Sequence, residues 1–240
     1  MLHEAEALIM AGGYGKRMGE AARETQKCLL PIEEKAVLGH ILESLVAAFG
    51  SVDVKIAVAY KASQVKEYVD KNKPNKITVT YVPDDTTKGI CGAYLNMEEY
   101  TKGNYISLPG DVIAYPGAYE RTLSLFETSK ASIAMALSPR LEVIDTHAVA
   151  RLRGIDVIEF LHPPPNTPLY PFLRDLNFYA SDKRMFDFIR KFPTPPQGGI
   201  SPVVRKAFEA QYPLIGERYT SPWIHLGYPN DLTKTLHENE

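Results

Sequence analysis

Ala7-Leu8-Ile9-Met10-Ala11-Gly12-Gly13-Tyr14-Gly15-Lys16-Arg17-Met18 is the stretch on which the fold turns. Five residues of strand length and character run straight into a turn that carries three glycines and two cations. Glycine permits close backbone approach and positive φ, so the amides of such a turn can wrap a polyphosphate, while Lys16 and Arg17 supply charge-assisted hydrogen bonds. Lys27, within Gln26-Lys27-Cys28-Leu29-Leu30-Pro31-Ile32, offers a third cation. A glycine-rich turn also serves merely to reverse a chain, so the cations carry the phosphate reading. Two familiar loops are excluded. A P-loop needs Ser or Thr after Gly15-Lys16, where Arg17 stands. A dinucleotide fingerprint needs glycine at Met18 and an acid closing the second strand, where the chain has Ala59-Tyr60-Lys61.

Outward from this turn, strand-like runs recur at Leu8–Met10, Val54–Tyr60, Ile77–Val82, Tyr105–Leu108 and Ser132–Leu137. Leu38, Ile41, Leu42, Leu45, Val46 and Phe49 fall at helical spacing before Gly50, and Ser63–Lys71 reads as a shorter helix capped by Ser63. Strands alternating with helices predict an α/β sandwich around a mostly parallel sheet. Beyond about residue 140, Pro163-Pro164-Pro165, Pro193, Pro195-Pro196 and Gly198-Gly199 interrupt regular patterns, which predicts a second half dominated by loops that select substrate.

The 240 residues suffice for one large α/β domain, and 45% hydrophobic with 23% charged residues is ordinary for a soluble protein. A net charge of −2 argues against a nucleic-acid partner. No apolar stretch approaches the length of a membrane span, and the first residues lack a leader pattern, which predicts no membrane association and a cytoplasmic protein. Cys28 and Cys91 fit a reducing compartment, and the sequence leaves open whether they pair.

Tyr105-Ile106-Ser107-Leu108-Pro109-Gly110-Asp111 reads as a buried strand ending in an acid, on the side where α/β sheets bind ligands. Asp111 is there either a metal ligand bridging phosphates or an Asx-turn residue that ends the strand.

The first strand with Ala11–Met18, followed by Lys27–Ile32, resembles the signature of sugar-phosphate nucleotidyltransferases, the nucleotide-sugar pyrophosphorylases. That resemblance implies a three-layer α/β/α sandwich with a Rossmann-like, mostly parallel mixed sheet. It implies a nucleotide-binding half (1–140) and a sugar-binding half (141–240), and the length predicts that these form one domain over 1–240 with no C-terminal β-helix. Ala11, Gly12 and Gly13 would lie against base and ribose, Gly15, Lys16 and Arg17 would hold the triphosphate, and Lys27 would neutralise the phosphate under attack. Asp111 would bind Mg²⁺, with Mn²⁺ as an alternative. Thr86-Thr87-Lys88-Gly89-Ile90-Cys91-Gly92-Ala93 is similar to the family's Gly-Thr-Ala-Gly-Ala turn, which places Gly89 and Gly92 near the nucleoside. Trp223-Ile224-His225-Leu226-Gly227-Tyr228-Pro229-Asn230-Asp231-Leu232 resembles the family's Trp-x-Asp-Ile-Gly-Thr-Pro-Glu-Asp-Leu segment.

Departures are concentrated in two places. His225 stands at the second metal-binding Asp, and an imidazole suits Mg²⁺ poorly but a softer ion better. Leu161-His162-Pro163 replaces Glu-Lys-Pro, and Asp175-Leu176-Asn177-Phe178-Tyr179 replaces Asn-x-Gly, which leaves His162, Arg174 and Asn177 as candidates for the sugar side. The expected substrates are a nucleoside triphosphate and a sugar 1-phosphate, with pyrophosphate released, and assembly into a homo-oligomer is compatible with the sequence. Two competing readings are a catalytically silent homologue that regulates a partner, and a nucleotidyltransferase with another acceptor, as in the molybdopterin and cobinamide guanylyltransferases.

Overall fold

In a computed structural model the described residues are 5–140, 148–163 and 171–235. The elements are β1 (Ala5–Met10), β2 (Pro31–Ile32), β3 (Lys35–Ala36), α1 (Val37–Phe49), β4 (Val52–Val58), α2 (Ala62–Asn72), β5 (Ile77–Pro83), α3 (Gly89–Met97) and β6 (Tyr105–Pro109). They continue with β7 (Val112–Ala114), α4 (Pro116–Glu127), β8 (Ile133–Ser138), β9 (Val149–Arg153), β10 (Asp156–Leu161), β11 (Leu173–Ser181), α5 (Arg184–Lys191), α6 (Ser201–Glu209), β12 (Leu214–Arg218) and β13 (Trp223–His225).

One mixed sheet runs β5-β4-β1-β6-β11-β8-β12-β10-β9. Strands β5, β4, β1 and β6 are parallel, and β11 enters antiparallel between β6 and β8. Along β1, Ala7 and Ile9 face α1, α2 and α4, whereas Leu8 faces α3, α5 and α6. Both faces of the strand are therefore covered, which is why it reads as a continuous apolar run. Helices on the two faces make the third and first layers of an α/β/α sandwich.

All five strands expected from the sequence form, as does α1, which Gly50 closes through its N–H to the Val46 carbonyl at 2.8 Å. Helix α2 begins differently. Its N-cap is Lys61 in the left-handed region, and Ser63 lies inside the helix and makes no cap. The expectation that loops dominate beyond residue 140 is corrected more substantially, since β9 to β13, α5 and α6 all lie there. Their signals are hidden because Pro202 sits in the first turn of α6, where proline is tolerated, and because β11 buries Arg174 and Asp175 within an otherwise apolar strand. Pro164 and Pro165 lie outside the described residues.

Cys28 and Cys91 are both free and buried. No helix among the described residues is long and apolar enough to cross a membrane.

Candidate active site

The parallel strands β1 and β6 deliver their C-terminal ends side by side, and the loop after β1 folds across both. Gly110 donates its N–H to the Met10 carbonyl at 2.9 Å, and a Cβ on Gly110 would lie 2.9 Å from that oxygen. The loop is fixed from below by Gln26, which is buried. Its Nε2 donates to the carbonyls of Ala11 at 2.7 Å and Gly13 at 3.1 Å, while its Oε1 accepts from the Cys28 N–H at 2.6 Å. Gly15 takes φ +65° and abuts the Lys27 Cβ, so a side chain there would be strained and crowded. The sequence motif includes Gln26, but only the structure reveals what it does, because its partners are loop carbonyls that carry no sequence signal.

This loop lines a cavity of about 210 Å³ whose walls include Gly13, Gly15, Lys16, Arg17, Lys27 and Asp111. The dimensions and the donors suit phosphate groups. Lys16 Nζ lies 5.7 Å from the Tyr14 ring centre, and the Arg17 guanidinium carbon 5.4 Å from that of Tyr228. Both cations are thereby held at the cavity mouth.

Lys27 Nζ donates to Asp111 Oδ2 at 2.5 Å, and His225 Nε2 lies 3.8 Å from the same oxygen. Side-chain exposure is 11% for Lys27 and 24% for Asp111. Burial pushes the Asp111 carboxyl up, but the Lys27 ammonium and the His225 ring outweigh it and hold the group well below the usual carboxylate range. His225 reaches this position because β13 pairs antiparallel with β7, opposing His225 to Val112, and because the Leu226 N–H donates to the Asp111 carbonyl at 2.9 Å. Asp231 takes no part. Its Oδ2 accepts from the N–H groups of Gly227 and Tyr228, and its Oδ1 pairs with Lys234, so it secures the turn after β13. Burial pushes the Cys28 thiol far up, and this neighbour of Lys27 is no nucleophile.

A second cavity, of about 560 Å³, shares Met10, Arg17 and Asp111 with the first. Its far wall comes from β11 and from the loop before α6, including Arg174, Asp175, Asn177 and Gly198. Arg174 is stacked over Trp223, its guanidinium carbon 4.3 Å from the ring centre. Asn177 sits in a bulge with φ +58°, a conformation that asparagine tolerates better than most residues. The bulge is held by Asp175, whose Oδ1 accepts from the Asn177 N–H at 2.8 Å and whose Oδ2 accepts from the Tyr179 hydroxyl. Burial pushes the Asp175 carboxyl up to about 7 despite these bonds. Asp175 was not singled out from the sequence, where it looks like any exposed acid beside an arginine. His162 stands apart, hydrogen-bonded to Ser201 Oγ at 3.0 Å.

Gly12 is buried under Ala59 and Asp84 at the first cavity's edge. Gly89 and Gly92 line neither cavity. Gly89 packs against the backbone of Pro196, where a Cβ would lie 2.4 Å from the carbonyl oxygen, and Gly92 packs under Lys88 at the start of α3. Ile90 and Tyr94, on the same helix, reach the second cavity instead.

The glycine loop after β1, the Asp111 carboxylate beside Lys27 and the adjoining polar cavity thus gather at the C-terminal ends of β1 and β6, the side on which α/β sheets bind ligands. The chain belongs to the nucleotidyl transferase family, whose family model matches residues 6–237. It is 26% identical over 242 residues to the D-glycero-alpha-D-manno-heptose 1-phosphate guanylyltransferase of Aneurinibacillus thermoaerophilus, covering 97% of each chain. It is 24% identical over 227 residues to the Bifunctional protein GlmU of Methanocaldococcus jannaschii, covering 95% of this chain and 51% of that one. The chain thus spans about half the length of the GlmU relatives it matches. Among solved structures, a UDP-glucose pyrophosphorylase complexed with UDP-glucose superposes with a TM-score of 0.80 at 17% identity, over 96% of both chains. The inositol-1-phosphate CTP transferase of T. maritima gives 0.77 at 15% identity, over 98% and 97%.

Proposed function

We propose that the protein transfers a nucleoside monophosphate from a nucleoside triphosphate to a sugar 1-phosphate, giving a nucleotide sugar and pyrophosphate. The observation that supports this reading is the shared wall of the two cavities, where Arg17 and Asp111 line both the cavity walled by the glycine loop and the polar cavity beside it. A phosphate oxygen of the acceptor attacks the α-phosphorus, the bond from that phosphorus to the bridging oxygen breaks, and pyrophosphate leaves. No side-chain nucleophile is needed. The amides of Gly13 to Arg17 hold the leaving phosphates, Lys27 carries charge from the attacked phosphate, and Arg17 spans both anions. Asn177 and Arg174, on the far wall, orient the sugar.

The residues present fit a divalent ion shared with substrate rather than an all-protein cage, since no group of three His, Cys, Asp or Glu gathers among the described residues. Asp111 would hold it through a carboxylate oxygen, with the His225 imidazole as the neighbouring donor, a set that suits Mn²⁺ better than Mg²⁺. Such an ion supplies charge neutralisation between the phosphates. The protein is assigned to the cytoplasm, a reading that its two free, buried cysteines support.

Pyrophosphate release, measured for wild type and Asp111→Ala across nucleoside triphosphates, sugar 1-phosphates and both ions, tests the reading. Release that requires one sugar phosphate and disappears in the variant supports it. Triphosphate binding without turnover under any combination would instead support a silent, ligand-binding homologue and point to His225 as the cause.

A further inference from the structure

Arg174 stands on the far wall of the acceptor cavity and is only 3% exposed. Its place is fixed from several sides. In β11 it opposes Ser138 of β8 and Val149 of β9, and its guanidinium carbon lies over Trp223, 4.3 Å from the ring centre. The indole is held in turn, its Nε1 donating to Ser138 Oγ at 2.9 Å. A guanidinium stacked on a ring meets other groups through its in-plane N–H edge, the fork that matches two oxygens of one carboxylate or phosphate.

The charges around the cavity suit such an occupant. Among the described residues its walls carry two guanidinium groups, Arg17 and Arg174, and two acids, Asp111 and Asp175. Asp111 is answered by Lys27 at 2.5 Å, from the neighbouring cavity. Asp175 accepts from the Asn177 N–H and the Tyr179 hydroxyl, and burial pushes its carboxyl up to about 7, so its charge is only partly developed at neutrality. The loop before α6 adds positive potential to the same cavity. Gly198, Gly199 and Ser201 line it at the N-terminal end of that helix, to which no side chain supplies a cap. Ser201 Oγ is bonded to His162 Nε2 at 3.0 Å, and burial, with Arg205 nearby, pushes His162 down and keeps it neutral. A neutral imidazole that donates to Oγ leaves the serine proton for an anion in the cavity.

We infer that the acceptor carries a second anionic group, a carboxylate or a phosphate ester, besides the phosphate that attacks, and that Arg174 selects for it; the assignment rests on the nucleotidyltransfer reading above. The attacking phosphate belongs at the seam where the two cavities share Arg17 and Asp111, which leaves Arg174, on β11, to the remote end of the acceptor. A neutral sugar offers a guanidinium hydroxyls alone, and these are weaker partners than the paired oxygens of an anion.

Isothermal titration of the full chain at one ionic strength, with glucose 1-phosphate, glucuronic acid 1-phosphate and glucose 1,6-bisphosphate, and with the mannose counterparts, tests this. Within each sugar a two-anion member is expected to bind at least about tenfold more tightly than the plain 1-phosphate, and whether the uronate or the bisphosphate leads tells carboxylate from phosphate. Arg174→Met, which keeps an apolar stem on Trp223, is expected to shrink that preference to about twofold or less, and Arg174→Lys, which keeps the charge without the fork, to retain about threefold. Equal affinities within every set in wild type, a result that needs no variant to fold, overturn the assignment, as does a preference that survives in Arg174→Met. A preference without pyrophosphate release from any triphosphate overturns nucleotidyltransfer and leaves the anion site standing. Failure to bind any of these acceptors overturns both.

Discussion

Lys27 Nζ and Asp111 Oδ2 stand 2.5 Å apart, although 84 positions separate the two residues in the chain, and this contact marks the seam between the two cavities. In the proposed reaction the cation and the acid would face the same substrate phosphates. Neighbouring positive charge holds the Asp111 carboxyl well below the usual carboxylate range, so mild acidification does not break the pair from the acid's side.

Lys27→Met is expected to lower kcat/KM for pyrophosphate release by about a hundredfold to a thousandfold, the usual cost of deleting one fixed charge aimed at a developing anion. Each single removal at this pair strands the other charge in a mostly buried place. The double variant Lys27→Met with Asp111→Asn should therefore unfold in urea with a smaller loss than the summed single losses, by about 1 to 3 kcal/mol. Strict additivity would show that solvent, and not the partner, neutralises each group.

Gln26→Ala should act on binding through the backbone. It deletes two bonds to loop carbonyls and one from the Cys28 N–H, at a cost of about 2 to 4 kcal/mol in stability. The KM for the triphosphate should rise, since the amides that would wrap it are no longer held in register. A variant with the stability loss but an unaltered KM would mean that the loop keeps its shape without this support.

For Asp175 the sign of the pH dependence follows from its raised carboxyl, at about 7 in the folded chain. Between the ordinary carboxylate range and about 7 the folded state binds more protons than the unfolded one. This group's stabilising contribution is complete at low pH and is lost as pH climbs through that window. Asp175→Asn keeps an acceptor for the Asn177 N–H and has no proton to lose, so its unfolding free energy should fall less between about pH 5 and about pH 8 than that of wild type. Parallel pH profiles in urea titrations would contradict a neutralised, buried Asp175.

The sequence discloses the elements whose cause is local. The five strands announce themselves as apolar runs, α1 through its 3.6-residue spacing, and the loop after β1 through its glycines. What stays hidden depends on distant partners. Lys61 caps α2 from the left-handed region, a conformation in which no side-chain signal marks the boundary and which misdirects attention to Ser63. Asp175 looks like a surface acid until β11 is threaded between β6 and β8. Gly89 and Gly92 are singled out by their likeness to a family turn, and their close packing, against Pro196 in one case and Lys88 in the other, is visible only in the fold. His225 is legible as a departure, and its closeness to Asp111 is legible only from the pairing of β13 with β7.

That pairing bears on how the protein is made. A ribosome that has synthesised everything up to residue 115 has already made the glycine loop, Lys27 and Asp111, yet the partner strand that brings the imidazole to them starts at Trp223. Until those residues emerge, β7 has no partner strand and the nascent chain carries Lys27 and Asp111 without the imidazole beside them.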